Sequence, residues 1–354
     1  MRQRSSHLRR PRWRARGLTL IEVMVSITIS LVILGALVYI YVGSRGAYRS
    51  NEALARAQET GRFAIDWLTR DLRMIGHMGC GSRFLNAINV IARPPVPVTG
   101  IDDAMRGYVD DTSGWTAPTG VTYVRGDVLV TRRAVGSDVA ISQATDKDAY
   151  KVTLAHSCTR FKKDDLVMLA TCDRAVVFRV TNEPTYPATN CAGTPLELYH
   201  VVGSGTKGNG TIGEPDSAKF DMFQTNTRAA AQRFDEVTYF IGNNPGGRPA
   251  LYRHSALADA AEEVVDNVEN LEFLYGLDTN NDGAPDAYRN AAALAAADWA
   301  HVHSVRVSVV VIGGETGAAT GAQTYAFRGA TQTAGDSRLR RVFTTTVALR
   351  NRLD

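Results

Sequence analysis

Acidic residues are absent from the first 17 positions of this 354-residue chain, and cysteine is scarce, with four residues in all. The sequence has no C-x-x-C pair, no nucleophile elbow and no Ser/His/Asp spacing, and no pair of catalytic carboxylates stands out. We therefore find no basis in the sequence for an enzyme. No internal repeat of fixed period is present, and 44% hydrophobic with 21% charged residues excludes a wholly disordered, collagen-like or coiled-coil chain.

Positive charge is concentrated at the amino-terminal tip. Seven of the 40 basic residues lie in the first 17 positions, which leaves 33 basic against 36 acidic residues in the rest of the chain. The main part of the protein therefore gives no electrostatic case for nucleic-acid binding, and we identify no direct nucleic-acid site. The basic residues of the tip are Arg2, Arg4, Arg9, Arg10, Arg12, Arg14 and Arg16.

A long apolar run without proline follows the tip. Residues 18–42 are 25 residues with a single charge, Glu22. As a helix rising ~1.5 Å per residue, this run would be ~37 Å long, enough to span a hydrocarbon core of ~30 Å. The arginines before it predict a cytoplasmic amino terminus and an exported remainder. A secretory signal peptide would have a shorter apolar region and a small-residue cleavage site, and an ordinary anchor would not explain Glu22.

Glu22 is unusual because a carboxylate inside an apolar run costs about 2.5 kcal/mol or more in lipid. Residues 16–22, RGLTLIE, resemble the type III signal of type IV prepilins and pseudopilins. The resemblance implies cleavage after Gly17, methylation of the new terminus at Leu18, and an assembly role for Thr19 and Glu22. Leu18 departs from the phenylalanine that is usual in that family. A carboxylate buried in a filament would need a cation, which the methylated amine of a neighbouring subunit supplies.

The helical pattern continues beyond the apolar run. No proline occurs between Gly43 and about His77, and apolar or small residues at 54, 61, 65, 68, 72 and 75 define one face of an amphipathic helix. Glycines at 76, 79 and 81 are predicted to end it. We expect four parts: a basic leader at 1–17, a transmembrane or filament-core helix at 18–42, its amphipathic continuation at 43–79, and a periplasmic β-rich domain at 80–354.

The region from residue 80 onward reads mainly as strands, so the predicted fold class is α+β, pilin-like, with a long amino-terminal helix packed on a large antiparallel β-rich domain. The turn-rich segment 92–120 is predicted to be a surface loop, and 256–268 and 291–299 to be short helices. The predicted strands are 121–124, 127–132, 166–170, 175–181, 196–202, 236–241, 251–254, 271–275, 302–312, 324–328 and 342–349.

Several internal stretches resemble the PilW family of type IV pilus assembly proteins. They are 62–76 with the following Gly79-Cys80, the segment from Cys158 to Cys172, VTYFIGNNPGGRPALYRH (237–254) and LEFLYGLDTNNDGAPDAY (271–288). The resemblance implies a minor pilin of the inner membrane and then of the pilus, which initiates assembly or caps the filament in adhesion, twitching motility or DNA uptake. The implied partners are a prepilin peptidase/N-methylase, other minor pilins and the major pilin, a pilus tip protein and the inner-membrane assembly platform.

The sequence leaves two alternatives to the minor-pilin function open. A pseudopilin of type II secretion shares the leader, the glutamate and the long helix. A membrane-anchored periplasmic binding protein or enzyme is the alternative from another class, although a plain anchor gains nothing from Gly17 or Glu22. Neighbouring genes for minor pilins or for a secretion system would distinguish the first two.

The four cysteines all follow the apolar run, where an exported domain permits disulfides. Four cysteines allow three pairings, and the sequence does not decide among them. A turn-like segment between Cys158 and Cys172 favours a hairpin staple, which leaves Cys80 to pair with Cys191. Zinc is the competing interpretation, but no C-x-x-C spacing supports it.

A short acidic loop provides the only metal candidate. Asp278, Asn280, Asp282 and the following Gly283 match D-x-[DN]-x-[DN]-G, the opening of an EF-hand-type calcium loop, and Asp286 stands at the ninth position. The twelfth position, where a bidentate glutamate is expected, is Arg289. The loop is therefore either a weak calcium site or a plain Asx-rich turn after the strand at 271–275.

Two further patterns are interpreted as incidental. Residues 203–208 match G-x-G-x-x-G, but a dinucleotide site needs a helix to begin there, and the sequence continues as a loop. His301 and His303 lie on one face of a predicted strand without an identifiable third metal ligand, and we expect them to be surface histidines.

Overall fold

The structure is a computed structural model that describes residues 17, 19–79, 88–93, 104–110, 114–142, 150–172, 174–203, 208–210, 229–314, 316–319 and 321–352. The chain divides into two compact units, of which the first ends at Glu52 and the second begins at Ala53. The predicted α+β fold is confirmed, with a long apolar helix at the amino terminus and a large β-rich domain.

Helix α1 (Leu20–Leu72) is 53 residues long. No proline interrupts it, and the chain leaves it through a turn in which Gly76 and Gly79 have φ of 74° and 70°. These left-handed conformations favour glycine, as predicted for Gly76 and Gly79, whereas Gly81 lies outside the described residues. The helix itself ends five residues before His77. Its buried positions recur every three or four residues, at Ala53, Ala57, Gly61, Ala64, Leu68 and Leu72.

The β domain contains eighteen strands in the described ranges. In chain order these are β1 (Ile88–Val90), β2 (Ala92–Arg93), β3 (Met105–Tyr108), β4 (Thr122–Ala140), β5 (Lys151–Leu154), β6 (Leu166–Ala170), β7 (Ala175–Arg179), β8 (Leu196–Tyr199), β9 (Gly208–Asn209), β10 (Ala230–Asn243), β11 (Pro249–Ser255), β12 (Glu262–Asp266), β13 (Val268–Leu277), β14 (Ala287–Arg289), β15 (Val302–Gly313), β16 (Thr324–Phe327), β17 (Ala330–Thr333) and β18 (Leu339–Ala348).

Two sheets carry most of these strands. The eight-stranded sheet has the order β1-β7-β6-β10-β11-β12, with β4 also paired to β10 and β3 paired to β4. The four-stranded sheet has the order β14-β13-β15-β18, and three two-stranded pairs, β16-β17, β2-β9 and β5-β8, complete the set. Almost all of the pairs are antiparallel, but β1 and β7 are parallel, so the larger sheet is mixed.

Small residues let the carboxy-terminal part of α1 lie close to the four-stranded sheet. A Cβ atom added to Gly313 of β15 would overlap the Ala53 carbonyl oxygen, and one added to Gly61 would overlap the Phe343 ring of β18. Leu68 and Leu72 then enter the main core together with the valines of β15. Burial of these apolar side chains contributes about 25 cal/mol per Å² removed from water.

A buried polar cluster fixes the end of α1 to the eight-stranded sheet. Arg133 of β4 donates to the Asp71 carboxylate and to the Asp71 carbonyl oxygen, each at 2.9 Å. The Tyr239 hydroxyl of β10 also donates to that carboxylate, and Arg253 of β11 lies 3.5 Å from it. Desolvation by burial raises the pKa of Tyr239, which keeps its hydroxyl protonated as a donor. One helix residue is thereby connected to three strands.

Two local predictions are wrong, and a third, the short helices at 291–299, holds with 3-10 instead of α-helical geometry. Residues 256–268 do not form a helix, because 262–266 form β12 against β11. The segment 92–120 is not entirely a loop, because it contributes β3, which pairs with β4. Residues 291–299 lie in two short 3-10 helices, Ala291–Ala293 and Ala296–His301, in keeping with the high nucleation cost of a short α-helix.

One long strand also replaces two predicted ones. The sequence predicts separate strands at 121–124 and 127–132, but β4 continues through both as far as Ala140. Gly126, with φ of 89°, makes a local irregularity opposite β10 instead of a turn. A Cβ atom there would approach Leu271 of β13 at 3.0 Å, so glycine permits the two sheets to come together at this point.

Candidate functional site

The amino-terminal end of α1 is organised by a reciprocal capping box. The Thr19 amide and hydroxyl both donate to Oε2 of Glu22, at 3.0 and 3.1 Å. In return, the Glu22 amide donates to the Thr19 hydroxyl oxygen at 3.3 Å. These bonds use amides that have no partner inside the helix, so Thr19 is the cap and Glu22 the third helical residue.

The second carboxylate oxygen of Glu22 is not used in this arrangement. Oε1 accepts no hydrogen bond from any residue in the described ranges, and the side chain is exposed. Gly17 is also exposed, whereas Leu18 lies outside the described residues. The site therefore combines an exposed Gly17, a capped helix start and one carboxylate oxygen that can accept a cation.

The helix that follows presents apolar side chains outward. Every residue from Leu20 to Arg49 is exposed, including Leu20 itself at 78% and Tyr39 at 83%. By length and composition the helix can cross a membrane. Because exposed apolar surface of this extent is unstable in water, it requires lipid or other protein as its surroundings.

The acidic loop between β13 and β14 is closed by hydrogen bonds from its own backbone. Asp278 accepts from the amides of Gly283 (2.8 Å) and Asp282 (3.3 Å), and Asn280 Oδ1 accepts from the Asp282 amide at 2.9 Å. Asp286 accepts from the amide and the hydroxyl of Thr279, and these two bonds lower the pKa of its carboxyl. The side-chain oxygens thus converge on the loop interior, and Arg289 closes the sequence at the twelfth position on β14.

His303 contacts this loop from β15. Its Nδ1 lies 3.1 Å from Oδ2 of Asp278, and the two side chains are only 10% and 0% exposed. The prediction of surface histidines is therefore wrong for His303, whose pKa is lowered by desolvation. Within the described ranges, no group of three or more His, Cys, Asp or Glu side chains could hold a metal ion. The calcium interpretation of this loop therefore stays a prediction.

The cysteine pairing differs from the preferred prediction. Cys158 is bonded to Cys191, so the predicted Cys158–Cys172 staple and the predicted Cys80–Cys191 bond are both wrong. The turn before β6 is held instead by side-chain bonds such as that from the Lys162 amide to Asp165. Cys172 is disulfide-bonded as well, and Cys80 lies outside the described residues. The Cys158–Cys191 bond joins the segment after β5 to the short 3-10 helix before β8.

Two protein families match the chain. The family described as "Prokaryotic N-terminal methylation motif" matches residues 14–38, which include the capping box and the first part of α1. The family described as "Type IV Pilus-assembly protein W" matches residues 238–351, from the middle of β10 to the last 3-10 helix. The chain is therefore similar to PilW proteins over the larger of these ranges and to prepilin-like proteins over the smaller. No curated protein and no solved structure matches it.

Similarity to the PilW family links the chain to the type IV pilus. The methylation motif implies processing by prepilin peptidase and assembly with other pilins, and with the apolar helix it indicates membrane anchoring and association with a pilus. The family is of a structural, non-enzymatic type. The PilW match covers the whole four-stranded sheet and the acidic loop, so the family signature lies in the part of the β domain that packs on α1.

Some residues of these sites can be predicted from the sequence, and others cannot. The T-x-x-E spacing of Thr19 and Glu22 is a recognisable capping signal, because all of it lies within four consecutive positions. The partners of Asp71 carry no such signal, because Arg133 and Tyr239 are distant in sequence. The Asp278–His303 contact is similarly long-range and follows only from the pairing of β13 with β15.

Proposed function

We propose that this chain, which is similar to PilW proteins, is a minor pilin of the type IV pilus. Prepilin peptidase cleaves it after Gly17 and methylates the amine of Leu18, and the processed chain then helps to initiate the filament or to cap it. The β domain lies on the periplasmic side before assembly, since the arginines of the leader favour a cytoplasmic amino terminus. Adhesion, twitching motility and DNA uptake are the processes that such a subunit would serve.

One observation carries the proposal. The matched methylation motif lies on the same continuous helix whose residues from Ala53 onward are buried on a β domain that matches the PilW family. A cleaved signal peptide would separate from the domain, whereas here the apolar segment is part of a 53-residue element. The geometry supports a subunit that keeps its apolar helix and inserts it into an assembly.

The chemistry of the helix start supports the assembly role of Thr19 and Glu22. Oε2 of Glu22 caps its own helix, while Oε1 is left for the cationic amine of a neighbouring subunit. In an apolar filament core, where the effective dielectric constant is low, that pairing favours one axial register over others. The capping bonds hold the carboxylate at the first turn, so the amine finds it at a fixed position.

Mass spectrometry of the amino terminus tests the proposal directly. The expected mature protein begins at Leu18 with a methylated amine, and Gly17→Val should accumulate as the uncleaved form because bulk at the cleavage position blocks the peptidase. Gly35→Val is the matched control, since a Cβ atom there meets nothing within 4 Å. Sheared pili should contain the wild-type chain and the control but not Gly17→Val. Functional wild-type protein that retains Met1 would contradict the proposal.

The two alternatives predict different outcomes in the same fractions. A type II secretion pseudopilin would be processed identically, but its deletion would stop protein secretion and leave pili intact. A membrane-anchored binding protein or enzyme would stay in the membrane fraction whether or not Gly17 is cleaved. Deletion that lowers pilus number without affecting secretion is the result expected of a minor pilin.

A further inference from the structure

Strand β18 forms the longest outer edge of the two main sheets in the described ranges. It has ten residues, and positions 342–348 contain no charged side chain. The outer strands β1 and β14 have three residues each, and β3 has four. The outer strand β12 has five, of which Glu262, Glu263 and Asp266 are acidic. Short length and charged side chains keep sheet edges from pairing with other chains, and β18 has neither over these positions.

Hydrogen bonds at the two ends of β18 show which of its backbone groups point away from the sheet. The Arg340 amide donates to Oε1 of Gln323 at 2.7 Å, and the Gln323 side-chain amide donates to the Arg340 carbonyl oxygen at 2.9 Å. Leu349, just after the strand, donates instead to the carbonyl oxygen of His303 on β15 at 2.9 Å. Because backbone groups alternate in direction along an antiparallel strand, the odd-numbered residues of β18 bond to β15 and the even-numbered residues face outward.

The outward-facing backbone beyond Arg340 has no hydrogen-bond partner in the part of the chain that the structure describes. At Arg340 the Gln323 side chain supplies one acceptor and one donor, as a peptide group of a neighbouring strand would. The even-numbered residues that follow present an amide and a carbonyl group each to the same side, which leaves this stretch of edge open to an added strand. These residues are Val342, Thr344, Thr346 and Ala348, of which the last three are exposed.

We propose that the edge of β18 binds an extended segment of a different protein subunit, which joins the four-stranded sheet as a further strand. Main-chain hydrogen bonds to the outward groups hold the segment, and β-branched residues in its centre pack beside the threonines of β18. Its ends are acidic, because Arg341 and Arg350 are exposed on either side of the uncharged stretch and form no ion pair with any described residue. A second copy of β18 fits poorly, since antiparallel pairing along its length would place Arg341 of one copy near Arg350 of the other.

Proline substitutions in β18 separate the outward amides from the inward ones. Thr344→Pro removes an outward amide and should leave the fold intact, since proline is tolerated on the open side of an edge strand. Thr345→Pro removes an amide that bonds to β15 and should lower the Tm of the full-length chain by at least several degrees. Thr344→Val is the matched control, because it loses the same hydroxyl bond to Ser308 but keeps the outward amide. Equal Tm values for Thr344→Pro and Thr345→Pro would overturn the assignment of outward groups.

Calorimetric titration of the full-length chain in detergent with the peptide acetyl-DETVTVTVED-amide measures the docking itself. Wild type and Thr344→Val should bind it saturably, and Thr344→Pro should bind it roughly tenfold more weakly or worse, since a main-chain hydrogen bond is lost and the proline ring blocks the edge. The peptide acetyl-KKTVTVTVKK-amide should also bind roughly tenfold more weakly, because its lysines meet the two arginines.

Three results of these titrations would count against the proposal. Equal binding by wild type and Thr344→Pro, or no binding by a wild-type chain whose thermal unfolding is cooperative, would overturn it. Equal binding of the lysine peptide would overturn the acidic ends of the segment. A concentration-dependent dimer that Thr344→Pro abolishes would identify a second copy as the occupant instead of a different subunit.

Sheared pili distinguish failure of this inference from failure of the proposed function, on which it rests only for the origin of the segment, another subunit of the same assembly. Thr344→Pro should be cleaved after Gly17 like wild type, yet occur in pili at a level several-fold lower, whereas Thr344→Val should be incorporated normally. Normal incorporation of Thr344→Pro would overturn the inference even where wild type is processed as proposed. An unprocessed wild-type chain that still binds the acidic peptide through β18 would contradict the proposed function alone and support the docking edge.

Discussion

The two parts of α1 are equally helical, but they use apolar and small residues in opposite ways. From Leu20 to Arg49 every side chain is exposed, and the segment is rich in Ile, Val and Leu. From Ala53 to Leu72 the buried face is built mostly of Ala and Gly, with leucine only at its end. The more apolar part is the one whose side chains are not buried by the rest of the described chain.

The difference shows that hydrophobicity alone does not identify the core-facing part of a helix. Small residues at spacings of three and four let a helix approach a sheet closely, as Gly61 does beneath Phe343. Large aliphatic residues all around a helix need a partner on every side, which lipid or several neighbouring subunits provide. The first part is therefore suited to a membrane or a filament, and the second to its own domain.

The largest expected effect comes from adding one methyl group to the close contact. Gly313→Ala should lower the free energy of unfolding by about 2 kcal/mol, since the new Cβ atom meets the backbone of α1 at Ala53 and backbone cannot move cheaply. Gly61→Ala should cost less, because the Phe343 ring can shift. Denaturant unfolding of the detergent-solubilised chain measures both.

Gly46→Ala is the matched control in the first part of the helix. A Cβ atom at Gly46 meets nothing within 4 Å, and alanine in a helix interior is favoured over glycine by roughly 0.5–1 kcal/mol. The control should thus be neutral or slightly stabilising. Equal effects at Gly46 and Gly313 would contradict the distinction between the two parts of α1.

Substitutions in the capping box should give the next largest effect on stability. They also distinguish two roles of the Glu22 carboxylate, which caps the helix and carries a negative charge. Thr19→Ala should cost about 1 kcal/mol of first-turn stability, seen as roughly fivefold faster amide hydrogen exchange there, and Thr19→Ser should not. Glu22→Gln should keep the cap, because glutamine also occurs at this position of the box, yet it removes the charge.

Because Glu22→Gln keeps the cap, its level in sheared pili measures the effect of the Glu22 charge alone. Glu22→Gln should remain membrane-inserted and processed but appear in pili at a level at least several-fold lower, whereas Glu59→Gln, at an exposed acid of the same helix, should be incorporated normally. Wild-type incorporation of Glu22→Gln would show that only the capping function of the carboxylate matters.

Local patterns in the sequence account for much of this fold. The uninterrupted run of helix formers predicts α1, and the β-branched segments at 166–170 and 302–312 predict β6 and β15, whose bounds differ by one residue at most. The resemblance at the methylation signal points to Gly17, Leu18 and Glu22 as candidate site residues. In each case the decisive information lies within a few consecutive positions.

The failures concern interactions between distant parts of the chain. Ala256 to Val268 satisfies a helical pattern, but pairing with β11 makes part of it a strand. Cys158 meets Cys191 because the antiparallel β5–β8 pair brings the segment after β5 close to the segment before β8, which no spacing rule reveals. His303 is buried because β15 passes under the acidic loop. Burial and pairing of this kind depend on topology, which local sequence specifies weakly.

The acidic loop, like the helix start, contains carboxylates that accept hydrogen bonds within the chain beside carboxylates that are exposed and can bind a partner. Both oxygens of Asp278 accept backbone hydrogen bonds, while the other acids of the loop are exposed. If the loop binds calcium, the missing twelfth-position ligand predicts a dissociation constant of about 10⁻⁴–10⁻³ M. At ten times that concentration, the native state would gain about 1.4 kcal/mol, or a few degrees in Tm.

Thermal unfolding of the full-length chain in calcium, in magnesium and with a chelator distinguishes the two interpretations of this loop. A calcium loop should show a Tm increase with calcium only, its loss in Asp282→Ala, and a larger increase in Arg289→Glu, which supplies the twelfth-position carboxylate. Arg350→Glu makes the same charge reversal outside the loop and controls for net charge. A plain hydrogen-bonded turn should show the same Tm in all three solutions, and Arg289→Glu should then leave that equality unchanged, because a carboxylate at the end of a loop with no bound cation has nothing to coordinate.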